Sequence, residues 1–209
     1  MDRRKQIVRD AYDRIGGRYL EWSLHSRVRQ RQLEALLGLL SPGAEVLELG
    51  CGAGAPVTVA LAARGPVTAV DISPAQTALA ATNAPGANVV CADIAALTFA
   101  EGAFDAVCSF YALTHIPRDT HAALFRRIAR WLRPGGLFFA TLGALDHPDG
   151  ETGDWLGAPN FFSHFDAETN VRLLERSGFR VESAERILQD LPGEEGLDFL
   201  WAVARKGDA

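Results

Sequence analysis

The stretch from Val46 to Gly54 reads V-L-E-L-G-C-G-A-G, and it decides how the rest of the chain is read. A short apolar run enters a glycine-rich turn, and the apolar residues beyond it (Val57, Val59, Ala60, Leu61) suit a helix. A strand feeding a tight turn and then a helix N-terminus is built to hold a nucleotide-like ligand. Glycines there open backbone conformations closed to other residues and let the chain come close to that ligand. Two fingerprints fit the same turn: G-x-G-x-x-A from Gly50 to Ala55, the dinucleotide form, and E-x-G-x-G-x-G from Glu48 to Gly54. The turn alone does not choose between them.

On the N-terminal side, helices are predicted over Gln6 to Tyr19 and Val28 to Leu40. In the second, Leu33, Leu36, Leu37 and Leu40 recur at helical spacing before Ser41-Pro42-Gly43 stops it. On the C-terminal side, strands and helices alternate, as a parallel sheet with crossover helices demands. Strands are predicted at Glu45 to Leu49, Val67 to Ile72, Asn88 to Ala92, Phe104 to Phe110 and Leu137 to Leu142. Ser73-Pro74 places a cap residue before a proline at the first helical position. Asp119 is the expected cap of a helix whose buried stripe is Leu124, Phe125, Ile128 and Leu132. Gly143 to Asn160 is polar and glycine-punctuated, and reads as a long loop of functional type. Asp166 caps a helix ending at Gly178. Two last strands, about Arg180 to Leu188 and Leu197 to Ala204, flank the turn Leu191-Pro192-Gly193-Glu194-Glu195-Gly196.

A chain of 209 residues suits one sizeable domain. The N-terminus M-D-R-R-K-Q-I-V-R-D has no apolar segment behind its charges, and no apolar run approaches the ~18 residues of a membrane span. Neither a secretory signal nor a membrane anchor is therefore expected. The three cysteines include no C-x-x-C pair, so no zinc site or disulfide framework is expected and a cytoplasmic location is the default. The net charge of −5 argues against nucleic acid as the main partner. That charge is uneven. Residues 1–31 carry nine Arg/Lys against four Asp/Glu, and the remainder twelve against twenty-two, so +5 faces −10. A solvated amphipathic face explains the basic segment most simply. A basic lid attracting an anionic substrate is the sharper alternative.

Asp71 closes the second strand, about twenty residues past the first glycine of the loop, where a carboxylate can accept from both hydroxyls of a ribose. Asp93, in C-A-D-I, closes the third strand, where an acid can accept from an adenine amine. Two acids at successive strand ends line the carboxyl edge of the sheet, where ligands bind in doubly wound folds.

With these residues in place, the chain resembles a class I S-adenosylmethionine-dependent methyltransferase over about residues 30–205. The matching pieces, in order, are V-L-E-L-G-C-G-A-G, A-V-D-I-S, C-A-D-I, F-D-A-V-C-S-F-Y-A-L-T-H-I, L-R-P-G-G-L-F-F and the terminal S-G-F-R-V with its hairpin. The resemblance implies an α/β fold. Its Rossmann-like, seven-stranded, mostly parallel sheet has the order 3-2-1-4-5-7-6 with the last strand antiparallel and helices on both faces. Residues 1–30 would form a helical lid, and residues 31–209 the cofactor-binding domain with a substrate loop at 143–165. Gly50, Cys51, Gly52 and Gly54 would lie against the methionine part of S-adenosylmethionine, with Glu48 beneath the loop. Asp71 would take the ribose, Ile72 and Ser73 would flank the adenine, and Asp93 would take its amine between Ala92 and Ile94. Ser109 and Phe110 would run beside the methyl group, and Tyr19 would close over the cofactor.

The acceptor side is less specified. Tyr111, His115 and His164 are the candidate catalytic or pocket residues, and each also fits a core role. Tyr12, Tyr19, Trp22 and Trp155 are aromatic residues of the two segments expected to cover the cleft; Tyr12 and Tyr19 share a face only if one helix persists through both. The activity implied is methyl transfer to a small molecule at oxygen, with a carboxylate favoured by the basic N-terminus. Nitrogen methylation, NAD(P)-dependent oxidoreduction and a non-catalytic cofactor-binding subunit are the alternatives. A metal ion, nucleic acid or membrane is not expected, and the chain would act as a monomer or homodimer.

Overall fold

The computed structural model describes residues 1–193 and 196–207; Glu194 and Glu195 of the turn predicted at 191–196 lie outside the described residues. The chain opens with three helices, α1 (Arg3–Ile15), α2 (Arg18–Ser23) and α3 (Arg27–Leu39). There follow β1 (Val46–Leu49), α4 (Val57–Ala62), β2 (Val67–Asp71), α5 (Pro74–Asn83), β3 (Asn88–Cys91), β4 (Phe104–Ser109), α6 (His121–Trp131) and β5 (Leu132–Gly143). A hairpin of β6 (His147–Trp155) and β7 (Ala158–His164) precedes α7 (Ala167–Arg176), β8 (Phe179–Leu188) and β9 (Asp198–Lys206).

The main sheet has the order β3-β2-β1-β4-β5-β9-β8. Strands β1 to β5 pair in parallel, and β9 runs antiparallel to both β5 and β8. The hairpin forms a separate two-stranded sheet, so β8 and β9 are the sixth and seventh strands of the main sheet, in the order expected. Parallel strands buried on both faces read as continuous apolar runs, and β1 is buried at all four positions. Adjacent residues feed opposite layers. Phe138 and Leu200 join the core beneath α6 and α7, whereas Phe139 and Trp201 join the core beneath α3 and α4. The stripe Leu124, Phe125 and Ile128 is fully buried in the first of these. Strand order reverses between β1 and β4, which opens a crevice at their carboxyl ends.

Three sequence expectations change. The helix predicted from Gln6 to Tyr19 is broken: the Gly16 N–H closes on Tyr12 O at φ +55°, and the chain restarts as α2. Gly143 to Asn160 is not a loop but the end of β5 followed by β6 and the start of β7, paired from His147↔His164 to Trp155↔Ala158. Thr120, not Asp119, stands at the N-cap position of α6 and makes no side-chain cap hydrogen bond, and Asp119 sits in the 3₁₀ turn Arg118–Thr120 before it. The Ser73 and Asp166 caps form as expected, accepting from Gln76 N and Thr169 N.

Candidate active site

The glycine turn after β1 and the turn after β4 form the two sides of the crevice. Gly50, Gly52 and Gly54 hold φ of +79°, +53° and +80°, in the region L side chains avoid. Their reasons differ. A Cβ on Gly50 would overlap the Ala112 side chain, and one on Gly54 would come within 3.0 Å of Ala80 Cα. A Cβ on Gly52 would meet nothing nearer than Gln76 Oε1 at 3.8 Å. Gly50 and Gly54 therefore serve close packing, while Gly52 serves the turn itself.

Asp71 braces this turn. Its carboxylate accepts from Gly52 N and Ser73 N, each at 2.9 Å, and burial holds its carboxyl above the ordinary range. Glu48 lies beneath, accepting from Thr58 Oγ1 at 2.6 Å, and burial pushes it up to about 8. Cys51 is on the cavity wall, but burial raises its thiol, so it is no thiolate nucleophile. Asp93 accepts from Ala95 N at 2.8 Å and pairs with Lys5 Nζ at 2.7 Å, which ties the first turn of α1 to the end of β3.

The opposite wall carries Arg29, from the first turn of α3. It is buried, and its guanidinium donates to Ser23 Oγ and Tyr19 Oη, each at 2.8 Å, and lies 4.9 Å from the centre of the Tyr111 ring. Its Nε has no partner. Among the described residues no carboxylate forms an ion pair with it. A buried cation without an anion is costly unless a ligand supplies one. Sequence reasoning missed Arg29 because R-V-R-Q-R presents it as one of several surface arginines; only the turn capped by Ser26 brings it inward.

Two cavities share four residues: Tyr12, Tyr19, Tyr111 and His115. Tyr111 holds φ +64° at the end of β4, unusual for an aromatic residue, and donates to Gln189 Oε1 at 2.8 Å. His115 Nδ1 lies 2.8 Å from Phe161 O, which can only accept, so Nδ1 carries the proton. Nε2 is then the lone pair and accepts from Tyr12 Oη at 2.9 Å. Burial pushes His115 down to about 4 and Tyr12 well above its ordinary value, so at neutral pH both are uncharged.

The first cavity is lined by Tyr19, Glu48, Gly50, Cys51, Gly52, Asp71, Ile72, Asp93, Ile94 and Phe110 of the expected cofactor residues. Gly54, Ser73, Ala92 and Ser109 are not on its wall. Ser73 caps α5, and Ser109 donates to Leu49 O at 2.9 Å inside the sheet. His164 lies on the second cavity alone, its Nδ1 2.8 Å from Leu145 O. Trp22 and Trp155 line the second cavity too. Lys5 and Arg29 on the first cavity, and Phe162 on the second, were not anticipated.

Comparison with known proteins agrees with this geometry. Residues 46–136 match the model of a methyltransferase domain. The chain is 35% identical over 167 residues to an uncharacterized methyltransferase of Synechocystis sp. (strain ATCC 27184 / PCC 6803 / Kazusa), covering 74% of each chain. It is similar in structure to the complex of DhpI with S-adenosylhomocysteine, with a TM-score of 0.77 and 20% identity over 98% of this chain and 97% of that one. It is also similar to the 1,6-didemethyltoxoflavin-N1-methyltransferase of Burkholderia thailandensis, with a TM-score of 0.65 and 27% identity over 87% of this chain and 78% of that one. The glycine turn, the strand-end acids and these relatives together make the chain a member of the class I S-adenosylmethionine-dependent methyltransferases.

Proposed function

We propose that the enzyme methylates the oxygen of a small-molecule hydroxyl compound, with the first cavity holding the cofactor and the second the acceptor. The observation that carries this reading is the Tyr12–His115 couple at the junction of the two cavities. The first cavity suits S-adenosylmethionine. Asp71 offers acceptors for a ribose diol, Asp93 for an adenine amine, and the unpaired Arg29 guanidinium an anchor for an amino-acid carboxylate. When bound, the cofactor would supply an electrophilic methyl group on a sulfonium.

The chain's own work is alignment, exclusion of water and removal of one proton. A hydroxyl acceptor gives its proton to Tyr12 Oη while the Tyr12 proton passes to His115 Nε2. The one positive charge of the reactants thereby ends on His115, whose Nδ1–H stays on Phe161 O. The burial that weakens this base also keeps it unprotonated at every pH above about 5. Residues 1–30 act as the lid that completes the site, since α1 brings Tyr12 to His115 and α2 brings Tyr19 to Arg29.

A carboxylate acceptor draws less support from the basic segment than its net charge suggests, since part of that charge is already engaged. Arg3, Arg4, Lys5 and Arg9 of the basic segment pair with Glu151, Asp149, Asp93 and Asp10. A ring nitrogen is the second reading, favoured by the likeness to the N1-methyltransferase. A screen of hydroxyl and amine acceptors by S-adenosylhomocysteine formation tests the proposal. Tyr12→Phe and His115→Gln should each lower kcat about 10²-fold or more on the hydroxyl substrate. Full activity in both variants would remove the proton relay and with it the reading.

A further inference from the structure

The second cavity is a box of rings. Tyr12, Tyr19 and Trp22 come from α1 and α2, Trp155 and Phe162 from the hairpin, and Phe199 from β9. The Trp155 ring centre is 5.8 Å from that of Tyr12, 6.0 Å from Tyr19, 5.9 Å from Trp22 and 5.8 Å from Phe162. Edge and tilted contacts at these spacings are the favoured arrangements of aromatic pairs, and a further flat ring can extend them. Besides the tyrosine hydroxyls, the polar lining consists of the Thr114 and Thr152 hydroxyls and the imidazoles of His115, His147 and His164. Among the described residues no Asp, Glu, Lys or Arg lines this cavity.

Charge then selects the occupant. An anion would need a cation, and Arg29 is on the wall of the cofactor cavity alone. An ammonium would need a carboxylate, it has no lone pair to accept a methyl group, and it would stand beside a sulfonium of like charge. An uncharged flat ring loses little on leaving water and gains contact on several sides.

Resting on the methyltransferase reading above, we propose that the acceptor is an uncharged planar aromatic compound, a phenol or hydroxylated heteroaromatic of one or two rings. Its ring lies among Tyr19, Trp155 and Phe162, and its hydroxyl is at Tyr12 and His115. The hairpin β6–β7 is therefore the specificity element, and Trp155 is its principal binding residue.

Three probes with one bicyclic frame and different charge test this: 2-naphthol, 2-naphthoate and 2-naphthylmethylammonium. Each is titrated into protein saturated with S-adenosylhomocysteine at pH 7, read by calorimetry and by quenching of tryptophan fluorescence. Naphthol should bind at least tenfold more tightly than either ion. Trp155→Ala should weaken naphthol tenfold or more and leave S-adenosylhomocysteine affinity within threefold. Thr152 is half-buried on the cavity wall, and Thr152→Lys should raise naphthoate affinity above the wild-type value. Equal or tighter binding of naphthoate or the ammonium to the wild type overturns the proposal. So does the absence of naphthol binding in protein that binds S-adenosylhomocysteine, and that result leaves the cofactor assignment standing. Failure to bind S-adenosylhomocysteine at all removes both.

Discussion

At the scale of single residues, the site is a set of side chains each held for a stated reason, and substitutions separate those reasons. Asp71→Ala removes the proposed ribose acceptor and also the brace on Gly52 N. S-adenosylhomocysteine affinity should drop by about 1.5–3 kcal/mol, the usual range for a hydrogen bond to a charged group. Unchanged affinity by calorimetry would take Asp71 out of the site. Gly143 offers a sharper probe of the acceptor side, because a Cβ there would overlap the His164 ring. Gly143→Ala should displace His164, alter acceptor KM and leave cofactor affinity unchanged, since His164 is on the second cavity alone. A loss of cofactor affinity instead would show the two cavities to be one. The place of Asp71 and Asp93 on the first cavity was legible in the sequence, since acids closing successive strands after a glycine turn share one edge of the sheet. Arg29 was not, because its meaning lies in a missing carboxylate, which only the packed structure reveals. The pairing of Tyr12 with His115 spans 103 positions and no spacing rule reports it.

At the scale of elements, what was legible follows from how each element gains its stability. Strands β1, β2, β4 and the second half of β5 are mainly apolar runs, so their burial is written locally, whereas β3 (Asn88–Cys91) lies half-exposed at the sheet edge. The strand β6, H-P-D-G-E-T-G-D-W, is polar and largely exposed, and it exists because β7 pairs with it. The N-terminal helices are the other case. Val8, Ala11 and Ile15 are the buried residues of α1, and the small cluster of Ala11, Ile15 and Ala158 stands apart from the two cores on the sheet. Otherwise α1 is fastened by polar contacts: Lys5 to Asp93, Arg4 to Asp149, Asp13 to Ser73, and Gln76 to the Gly16 carbonyl. The proposed lid role requires this helix to leave while the two cores on the sheet stay closed, at the cost of the small Ala11, Ile15 and Ala158 cluster. Amide exchange in α1 should be fast in the free enzyme and slow at least tenfold with S-adenosylhomocysteine. Deleting residues 1–22 should then cost turnover far more than the melting temperature of the sheet. Strong, equal protection with and without ligand would make α1 a permanent part of the fold.

At the scale of the molecule, the charge asymmetry and the buried ionisable groups give the stability a predictable shape in pH. Arg3, Arg4 and Lys5 at the start of the basic segment pair with Glu151, Asp149 and Asp93, so part of the +5 is matched to acids of the remainder. The exposed pairs contribute little each, and the buried groups decide. His115 and His121 are both pushed down to about 4 by burial, from an ordinary 6.5. Between those values the unfolded chain binds more protons than the folded one, so stability falls as pH drops from 6.5 towards 4. Glu48 works in the other direction. It loses its proton near 4.5 when unfolded and near about 8 when folded, so its contribution is lost as pH rises across that window. His164 is pushed down by burial as well, so below 6.5 three histidines outweigh Glu48 and Asp71, the two carboxyls that burial raises. Above 6.5 Glu48 acts without them. The free enzyme should therefore be most stable near pH 6.5 and lose about 2 kcal/mol between there and pH 8, at about 1.4 kcal/mol per unit of pH. For a domain of this size that is a fall of roughly 4–8 °C in melting temperature. Glu48→Gln carries an uncharged amide at every pH and can still accept from Thr58 Oγ1, so it should flatten this alkaline limb and keep the acid one. Thermal melts of the two proteins without ligand from pH 5 to 8.5 decide the matter: a wild-type melting temperature that holds steady or climbs from 6.5 to 8 would mean that Glu48 is ionised beneath the glycine turn.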